Sequence, residues 1–308
     1  MKNSVSTVLH HLIAQLRNNY ETPEATSIAW ELISFVAHKT KTELLSSNII
    51  ISDSELAQLI ELLKKHLVQH VPIAYLTGTV QFGALQLSIR PPILIPRSET
   101  EQWCYRLIDL LKPLSLKSLR ILDLCIGSGC IALALAHAFP NTTVVGIDID
   151  DQALALAREN SQRLNITNCT WIKSDLFENL DTEPNGSAFD IIVTNPPYIG
   201  HAERETLTPS VRNFESARAL FADDHGYAII KKIIAAAPCY IRPNPVLTAH
   251  NMPQLFIEIG STQAKMVETF MHMHEYATIQ TWKDYQGHDR VICARVPVCT
   301  THKKLDAD

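Results

Sequence analysis

The sequence predicts an α/β protein, a mostly parallel sheet with helices on both faces, preceded by a small helical bundle and a β-hairpin. Three observations carry this. From Ser98 onward, short strand-like runs alternate with helical stretches, the order of strands joined by crossover helices. Those runs are largely apolar, as strands covered on both faces are. Residues before Pro72 show helical periodicity alone.

Taken in order, Leu9, Leu12, Ile13 and Leu16 recur at helical spacing, and Glu24 to Ala37 continues in that style. Ser52 precedes Glu55 by three residues, which predicts a capping box. Leu56, Leu59, Ile60 and Leu63 come next on one face, and Pro72 closes the bundle. Gly78 and Gly83 then punctuate an alternating run, Leu85, Leu87 and Ile89, which predicts a hairpin. Pro91, Pro92 and Pro96 stiffen the stretch of chain after it. The strands expected next are Arg120 to Leu124, Thr143 to Ile147, Thr170 to Ile172, Asp190 to Thr194, Leu255 to Ile259, Thr278 to Trp282 and Arg290 to Arg295. Helices are expected at Ile131 to Ala138, at Asp151 to Leu164 behind an Asp150 or Asp151 cap, and at Gly226 to Ala237. The boundaries are 1–74 for the helical domain, 75–96 for the hairpin linker, 97–297 for the α/β domain and 298–308 for a tail.

Composition narrows the class. With 308 residues, 46% hydrophobic and 19% charged, the chain reads as a soluble globular protein with no need of staples. A formal charge of −5 gives no general electrostatic reason to bind nucleic acid. The cysteines, at 104, 125, 130, 169, 239, 293 and 299, form no CxxC pair. They read as small buried hydrophobes of a reducing compartment, not as a metal or disulfide site. No signal peptide and no membrane-spanning run is seen, so the expected location is the cytoplasm, ahead of the mitochondrial matrix, with no membrane partner.

On a sheet of this kind, ligands bind at the carboxyl ends of the strands, and the polar residues of interest come just after strand ends. Asp123-Leu124-Cys125-Ile126-Gly127-Ser128-Gly129-Cys130 lies between a strand and a helix. Gly127 and Gly129 permit a tight turn and close approach to a ligand. Asp123, Cys125, Ile126, Gly127, Ser128 and Gly129 are accordingly taken as a cofactor loop. The dinucleotide fingerprint and the Walker lysine are both absent, which disfavours nicotinamide cofactors and nucleoside triphosphates. Asp148 ends the second strand, where a carboxylate can accept from ribose hydroxyls. Asp175, after the third strand, can accept from the adenine amine, with Leu176 packing on the ring.

Asn195-Pro196-Pro197-Tyr198 comes after the fourth strand. The prolines fix the backbone and leave the Asn195 side chain and the Pro196 carbonyl as acceptors for the two N–H bonds of an NH₂ group. Tyr198 offers a flat apolar face. Asn195, Pro196 and Tyr198 are the catalytic candidates. Asn195 through Tyr198, Pro197 included, are the candidates for binding substrate, and Asn195 is a candidate for contacting the cofactor as well. No metal, covalent nucleophile or general base is expected.

On these motifs the segment from about Tyr75 to Val296 resembles the class I S-adenosyl-L-methionine-dependent methyltransferases and, within them, the glutamine N5-methyltransferases. The helical N-terminal domain and hairpin resemble that family as well. The resemblance implies a Rossmann-like seven-stranded sheet, S-adenosyl-L-methionine as cofactor and an Asn-Pro-Pro-Tyr site that orients a glutamine amide. Two substrate branches compete: the Gly-Gly-Gln glutamine of peptide chain release factors, and a glutamine of a large-subunit ribosomal protein. Ile95 to Glu101, Ala219 to Gly226 and Asp284 to Val291 resemble the release-factor branch. Cys125, Ser128 and Cys130 look more like the ribosomal-protein branch, and Glu215-Ser216 departs from the expected Glu-Pro. The flanking segments outnumber the loop, so the expected partner is a release factor, gripped by the helical domain and hairpin, with the enzyme a monomer that does not bind nucleic acid directly. A nucleic-acid amino methyltransferase and a non-catalytic cofactor-binding module are the rivals.

Overall fold

In the computed structural model the described residues are 3–46, 49–114, 116, 118–180 and 189–296. Two units are present, Met1–Thr79 with Thr208–Phe214 and Val80–Leu207 with Glu215–Asp308.

The first unit is helical: α1 (Val5–Leu16), α2 (Thr22–Ala37), α3 (Lys41–Ser46), α4 (Asp53–Gln69) and α5 (Ile73–Thr77). Ser4 caps α1 through Thr7 N. The α4 capping box forms as the sequence suggests, with Glu55 N on Ser52 Oγ at 3.2 Å and Ser52 N on Glu55 Oε2 at 2.6 Å. Such a cap is worth roughly 1 kcal/mol. Leu12, Leu16, Leu32, Ile33, Leu59 and Leu63 fill the core. Two expectations fail here. Ile60 is 59% exposed, because the buried face of α4 runs Leu59, Leu62, Leu63 and His66. Pro72 does not end the helical region, since it caps α5. His66 is tolerated inside because Tyr20 Oη lies 2.8 Å from its Nε2 and the Val71 carbonyl 2.9 Å from its Nδ1.

The second unit opens with a hairpin, β1 (Thr79–Phe82) and β2 (Leu85–Ser88), and continues into α6 (Ser98–Leu111). Gly83 turns the hairpin with a φ of 56° and packs so closely on Tyr105 that an added Cβ would enter its ring. Then come β3 (Arg120–Leu124), α7 (Cys130–Ala138), β4 (Thr143–Asp148), α8 (Asp151–Arg163), β5 (Cys169–Lys173), β6 (Ile191–Thr194) and β7 (Ile199–Gly200). The rest of the chain adds α9 (Pro209–Phe214, grouped with the first unit), α10 (Ala217–Leu220), β8 (Phe221–Ala222), α11 (Ala228–Ala236), α12 (Pro245–Ala249), β9 (Leu255–Glu258), α13 (Ala264–Met273), β10 (Ala277–Lys283) and β11 (Asp289–Arg295).

The main sheet has the order β10-β11-β9-β6-β3-β4-β5. Its strands are parallel except β11, which is antiparallel to both neighbours. The main sheet is thus seven-stranded and covered on two faces, as expected. Ile121, Val193 and Phe256 share one buried cluster with Trp103 and Leu107 of α6 and Leu133 of α7. Leu122, Val145 and Ile192 share the other with Ile230 and Ile233 of α11 and Val267 of α13. Each fully buried aliphatic side chain contributes roughly 1.5–3 kcal/mol.

Details differ from expectation. Asp190 precedes β6 instead of opening it, because its carboxylate caps the start of β3 through Arg120 N (2.7 Å) and pairs with Arg242. The helix expected over 226–237 is trimmed to α11, with 3₁₀ turns at Asp224–Gly226 and Ala237–Cys239. Asp150, not Asp151, caps α8. Among the described cysteines, Cys239 is exposed, not buried, and Cys299 lies outside the described residues, as does the 298–308 tail.

Candidate active site

The sheet reverses direction of growth between β3 and β6. From β3 the chain steps to β4 and β5 on one side, then returns to β6 and β9 on the other. At such a switch point the loops leaving two adjacent strands part and open a crevice. Parallel register aligns Leu124 with Ile147 and Thr194, and Thr194 with Ile257. The residues just beyond these strands therefore meet along one edge. A cavity of about 410 Å³ lies there, lined by Cys125, Gly127, Asp148, Asp175, Leu176, Asn195 and Pro197 among others. Asp123, Ile126, Ser128, Gly129, Pro196 and Tyr198 are not among its lining residues.

The loop after β3 is shaped by three left-handed residues, Cys125 (φ 59°), Gly127 (φ 52°) and Gly129 (φ 80°). Ile126 N donates to Ile147 O at 3.1 Å, tying the loop to β4. Gly129 brings α8 close, since a Cβ there would stand 3.0 Å from Ala157 Cβ. Ile126 packs with Leu154, Ala157 and Trp171 beneath the loop. Asp148 holds the loop from the other side. Its Oδ2 accepts from Gly127 N at 3.0 Å and its Oδ1 from Asp150 N at 2.9 Å. Burial raises the Asp148 carboxyl above its usual range, and those two N–H groups oppose the rise.

Asp123 lies deeper. It is fully buried, with Oδ2 accepting from Ala132 N at 3.0 Å at the start of α7 and Oδ1 lacking a partner among the described residues. Burial holds its carboxyl well above the ordinary value; the Ala132 N–H opposes this and the nearby Asp148 charge adds to it. Asp175 and Leu176 sit side by side on the cavity wall after β5, Leu176 with a φ of 49°. Burial and the neighbouring Asp148 carboxylate push the Cys125 thiol up, so it stays a neutral group.

After β6, the Asn195 Nδ2 donates to Thr100 Oγ1 at 3.2 Å. Among the described residues neither Asn195 Oδ1 nor the Pro196 carbonyl receives a hydrogen bond. The Tyr198 carbonyl accepts from Gln263 Nε2 at 2.9 Å, and Gly226 lies against it with no room for a Cβ. The Tyr198 ring packs on the sheet's second core cluster, and its hydroxyl is 3.5 Å from Glu258 Oε1.

Several positioning groups lie outside the sequence-based site candidates. Asn160 of α8 is completely buried and clamps the glycine loop to the hairpin. Its Nδ2 donates to Ser128 O and Ser88 O, each at 3.1 Å, and its Oδ1 accepts from Ser88 N at 2.7 Å. Arg97 pairs at 2.5 Å with Glu215, whose side chain is 1% exposed. Glu258, at the end of β9, is a further group absent from the sequence-based candidates. It accepts from Thr100 Oγ1 at 2.7 Å and Trp103 Nε1 at 2.8 Å. The departure at Ser216 has a local explanation, because its N–H donates to Pro92 O at 2.7 Å, a bond proline could not make.

Among the described residues, no group of three His, Cys, Asp or Glu side chains is arranged to hold a metal, and no helix is long and apolar enough to cross a membrane.

Residues 106–226 match the model of the methyltransferase small domain, and residues 7–78 match that of the PrmC N-terminal domain. The chain is 35% identical to the release factor glutamine methyltransferase of Salmonella typhimurium, over 93% of this chain and 97% of that protein. It is 34% identical to that of Thermodesulfovibrio yellowstonii, over 86% and 90%, and 33% identical to that of Aliivibrio fischeri, over 94% and 97%. Among solved structures, the Thermus thermophilus 16S rRNA N2 G1207 methyltransferase aligns with a TM-score of 0.49 at 18% identity, over 71% of this chain and 50% of that one.

Proposed function

The chain belongs to the release factor glutamine methyltransferase family, and we propose that it transfers the methyl group of S-adenosyl-L-methionine to the side-chain N5 of the glutamine in the Gly-Gly-Gln motif of a peptide chain release factor. The observation that carries this reading is the pair of unpartnered acceptors, Asn195 Oδ1 and the Pro196 carbonyl, beside a cavity whose lining includes the strand-end carboxylates Asp148 and Asp175. A primary amide has two N–H bonds to give and takes one to each acceptor.

The residues suit the cofactor. Asp148, already oriented by Gly127 N and Asp150 N, keeps lone pairs for ribose hydroxyls. Asp175 offers an acceptor for an exocyclic amine, and Leu176 and Ile149 offer apolar faces for a planar ring. Cys125, Ile126, Gly127, Ser128 and Gly129, with Asp123 beneath them, form the turn that lets the backbone approach it. When bound, the cofactor supplies an electrophilic methyl group on a cationic sulfur.

The remaining chemistry belongs to the chain. An amide nitrogen is a weak nucleophile because its lone pair is shared with the carbonyl. Holding both N–H bonds fixes its plane and the direction of its lone pair, and catalysis by positioning of this kind accounts for several kcal/mol. Pro196 and Pro197 stiffen the segment so that the acceptors do not reorganise on binding. Tyr198 packs on the core behind the turn, with its hydroxyl beside Glu258, and steadies the segment that carries the two acceptors. Among the described residues no side chain is assigned as a general base, and the proton is lost from the methylated amide to water after transfer.

The test is methyl transfer from labelled cofactor to a purified release factor, its glutamine-to-alanine variant, and the large-subunit ribosomal protein. Label in the release factor that disappears with the glutamine is the expected result. Label confined to the ribosomal protein overturns the substrate assignment. In the same assay Asn195→Ala should lose about 10²–10³-fold in kcat, the usual toll of one preorganised catalytic hydrogen-bonding group. Undiminished turnover by that variant overturns the role of Asn195.

A further inference from the structure

We infer that Glu258 is a positioning residue of the transfer site, acting through Thr100 to make Asn195 present its oxygen, and not its NH₂, to the incoming amide. The inference rests on the reading of Asn195 as an acceptor and adds what sets its orientation.

A carboxamide is nearly symmetric in shape, so packing alone does not distinguish Oδ1 from Nδ2. Hydrogen bonding does. An ionised carboxylate has no proton to give, so each contact to Glu258 is a donation toward it. Trp103 Nε1 donates to Oε2 at 2.8 Å and Thr100 Oγ1 donates to the same oxygen at 2.7 Å. The threonine hydroxyl has one proton and has committed it. Toward Asn195 it can act only as an acceptor, and the 3.2 Å contact must come from Nδ2. Oδ1 is thereby left to the other side. With the amide turned over, two NH₂ groups would face each other across the site, and the substrate would lose one of its two acceptors.

The relay is well insulated. Glu258, Thr100 and Trp103 are all buried, where each link is stronger than in water. The other titratable or charged groups facing Glu258 are Tyr198, Arg290 of β11, Glu99 of α6 and Cys130 of α7. Burial raises the Tyr198 hydroxyl and the Cys130 thiol, so both stay neutral near neutral pH. Arg290 stays charged and is itself bound to Asp284, Nη2 to Oδ2 at 3.1 Å. Within the hydrogen-bonded relay of Trp103, Glu258, Thr100 and Asn195, Glu258 is the member whose charge changes on acidification. Burial lifts its carboxyl above the usual range, against the opposing bonds from Thr100 and Trp103. Once protonated it becomes a donor, and Thr100 is free to donate to Asn195 instead.

The experiment compares Glu258→Leu, Glu258→Gln, Thr100→Val, Thr100→Ser and Asn195→Ala in methyl transfer to a release factor. Glu258→Leu removes the acceptor and should lower kcat about 10²-fold, with the KM for cofactor within about three-fold of wild type, the pattern of a misoriented group. Glu258→Gln keeps one oxygen to accept from Thr100 and Trp103 and should hold kcat within about ten-fold of wild type, without the fall that wild type shows on acidification. Thr100→Val should lose as much as Glu258→Leu, and Thr100→Ser, which keeps the hydroxyl, should recover about ten-fold or more of it. A Glu258→Leu enzyme with wild-type kcat, or a Glu258→Gln enzyme whose kcat runs parallel to wild type across pH, overturns the inference. If Glu258→Leu shows no cooperative melt, the threonine pair decides, and equal activity of Thr100→Val and Thr100→Ser overturns it. Loss in Asn195→Ala without loss in Glu258→Leu sinks this inference alone. Full activity of Asn195→Ala sinks the reading beneath it.

Discussion

Replacing Asn160 with alanine should be among the most destabilising single changes in the α/β unit, although the residue touches no ligand. The side chain is fully buried and makes three hydrogen bonds, to Ser88 N (2.7 Å), Ser88 O (3.1 Å) and Ser128 O (3.1 Å). Alanine removes all three and leaves main-chain partners buried. Each orphaned group costs about 1–3 kcal/mol. Taking the lower part of that range for carbonyls that can relax toward water gives about 3–5 kcal/mol. The assay is equilibrium unfolding in urea of Asn160→Ala against wild type. Asn160→Asp sharpens it, because aspartate still accepts from Ser88 N but cannot donate to either carbonyl, so it should be at least as harmful. Glu159→Ala is the control, since its ion pair with Arg90 leaves both side chains nearly half exposed and should cost no more than about 0.5 kcal/mol. A loss below about 1 kcal/mol in Asn160→Ala would refute the clamp, because that is less than one unsatisfied buried group costs. The same variant should raise the KM for cofactor, since the Ser128 end of the glycine loop is one of the clamped points.

Two more outcomes are expected of the same loop. Cys125 carries a side chain at a φ of 59°, so Cys125→Gly should leave stability within about 1 kcal/mol of wild type, relief of strain offsetting lost packing, whereas β-branched Cys125→Val should cost more than about 2 kcal/mol; equal stabilities in thermal melts would contradict this. Asp123 has a folded-state carboxyl held well above its ordinary range by burial, so its favourable contribution is complete at pH below the unfolded value and is lost as pH rises through the folded one. Asparagine has no proton to lose, so the stability of Asp123→Asn relative to wild type should grow from about pH 4 upward, and urea midpoints whose difference is flat or shrinks with pH would count against it.

The legible and illegible parts of the site divide along a physical line. Asp148, Asp175 and Asn195 can be read from the sequence because strand ends are fixed by local patterning, and a parallel sheet puts successive strand ends on one edge. The groups that hold those residues are harder to read, and the reason differs for each. Asn160 sits on α8, where a polar residue in an amphipathic helix reads as solvent-facing. Only packing of Gly129 and the hairpin over α8 buries it. The Arg97 and Glu215 pair is separated by 118 residues, and no local pattern encodes such a meeting. Ile60 is misplaced by periodicity for a milder version of the same reason, since Leu62 completes the face that its spacing assigns to it.

Glu258 is a different kind of case, because its signal is present in the chain. It is the one charged residue in the run Leu255-Phe256-Ile257-Glu258-Ile259, on a strand whose apolar character already predicts cover on both faces. A carboxylate in such a place costs several kcal/mol unless it is hydrogen-bonded. Its occurrence at a strand's carboxyl end therefore implies buried donors on the strength of the pattern alone. The two donors present, Thr100 and Trp103, come from α6, the helix that the Ile95 to Glu101 segment leads into. That segment and the Asn-Pro-Pro-Tyr turn lie 95 residues apart by the Asn195 to Thr100 bond, and the buried charge on β9 joins them. A polar residue that breaks the pattern of a doubly covered strand is thus a pointer to the site in the same sense as the strand-end acids. The strand-end acids face the ligand, and this one faces the residues that aim at it.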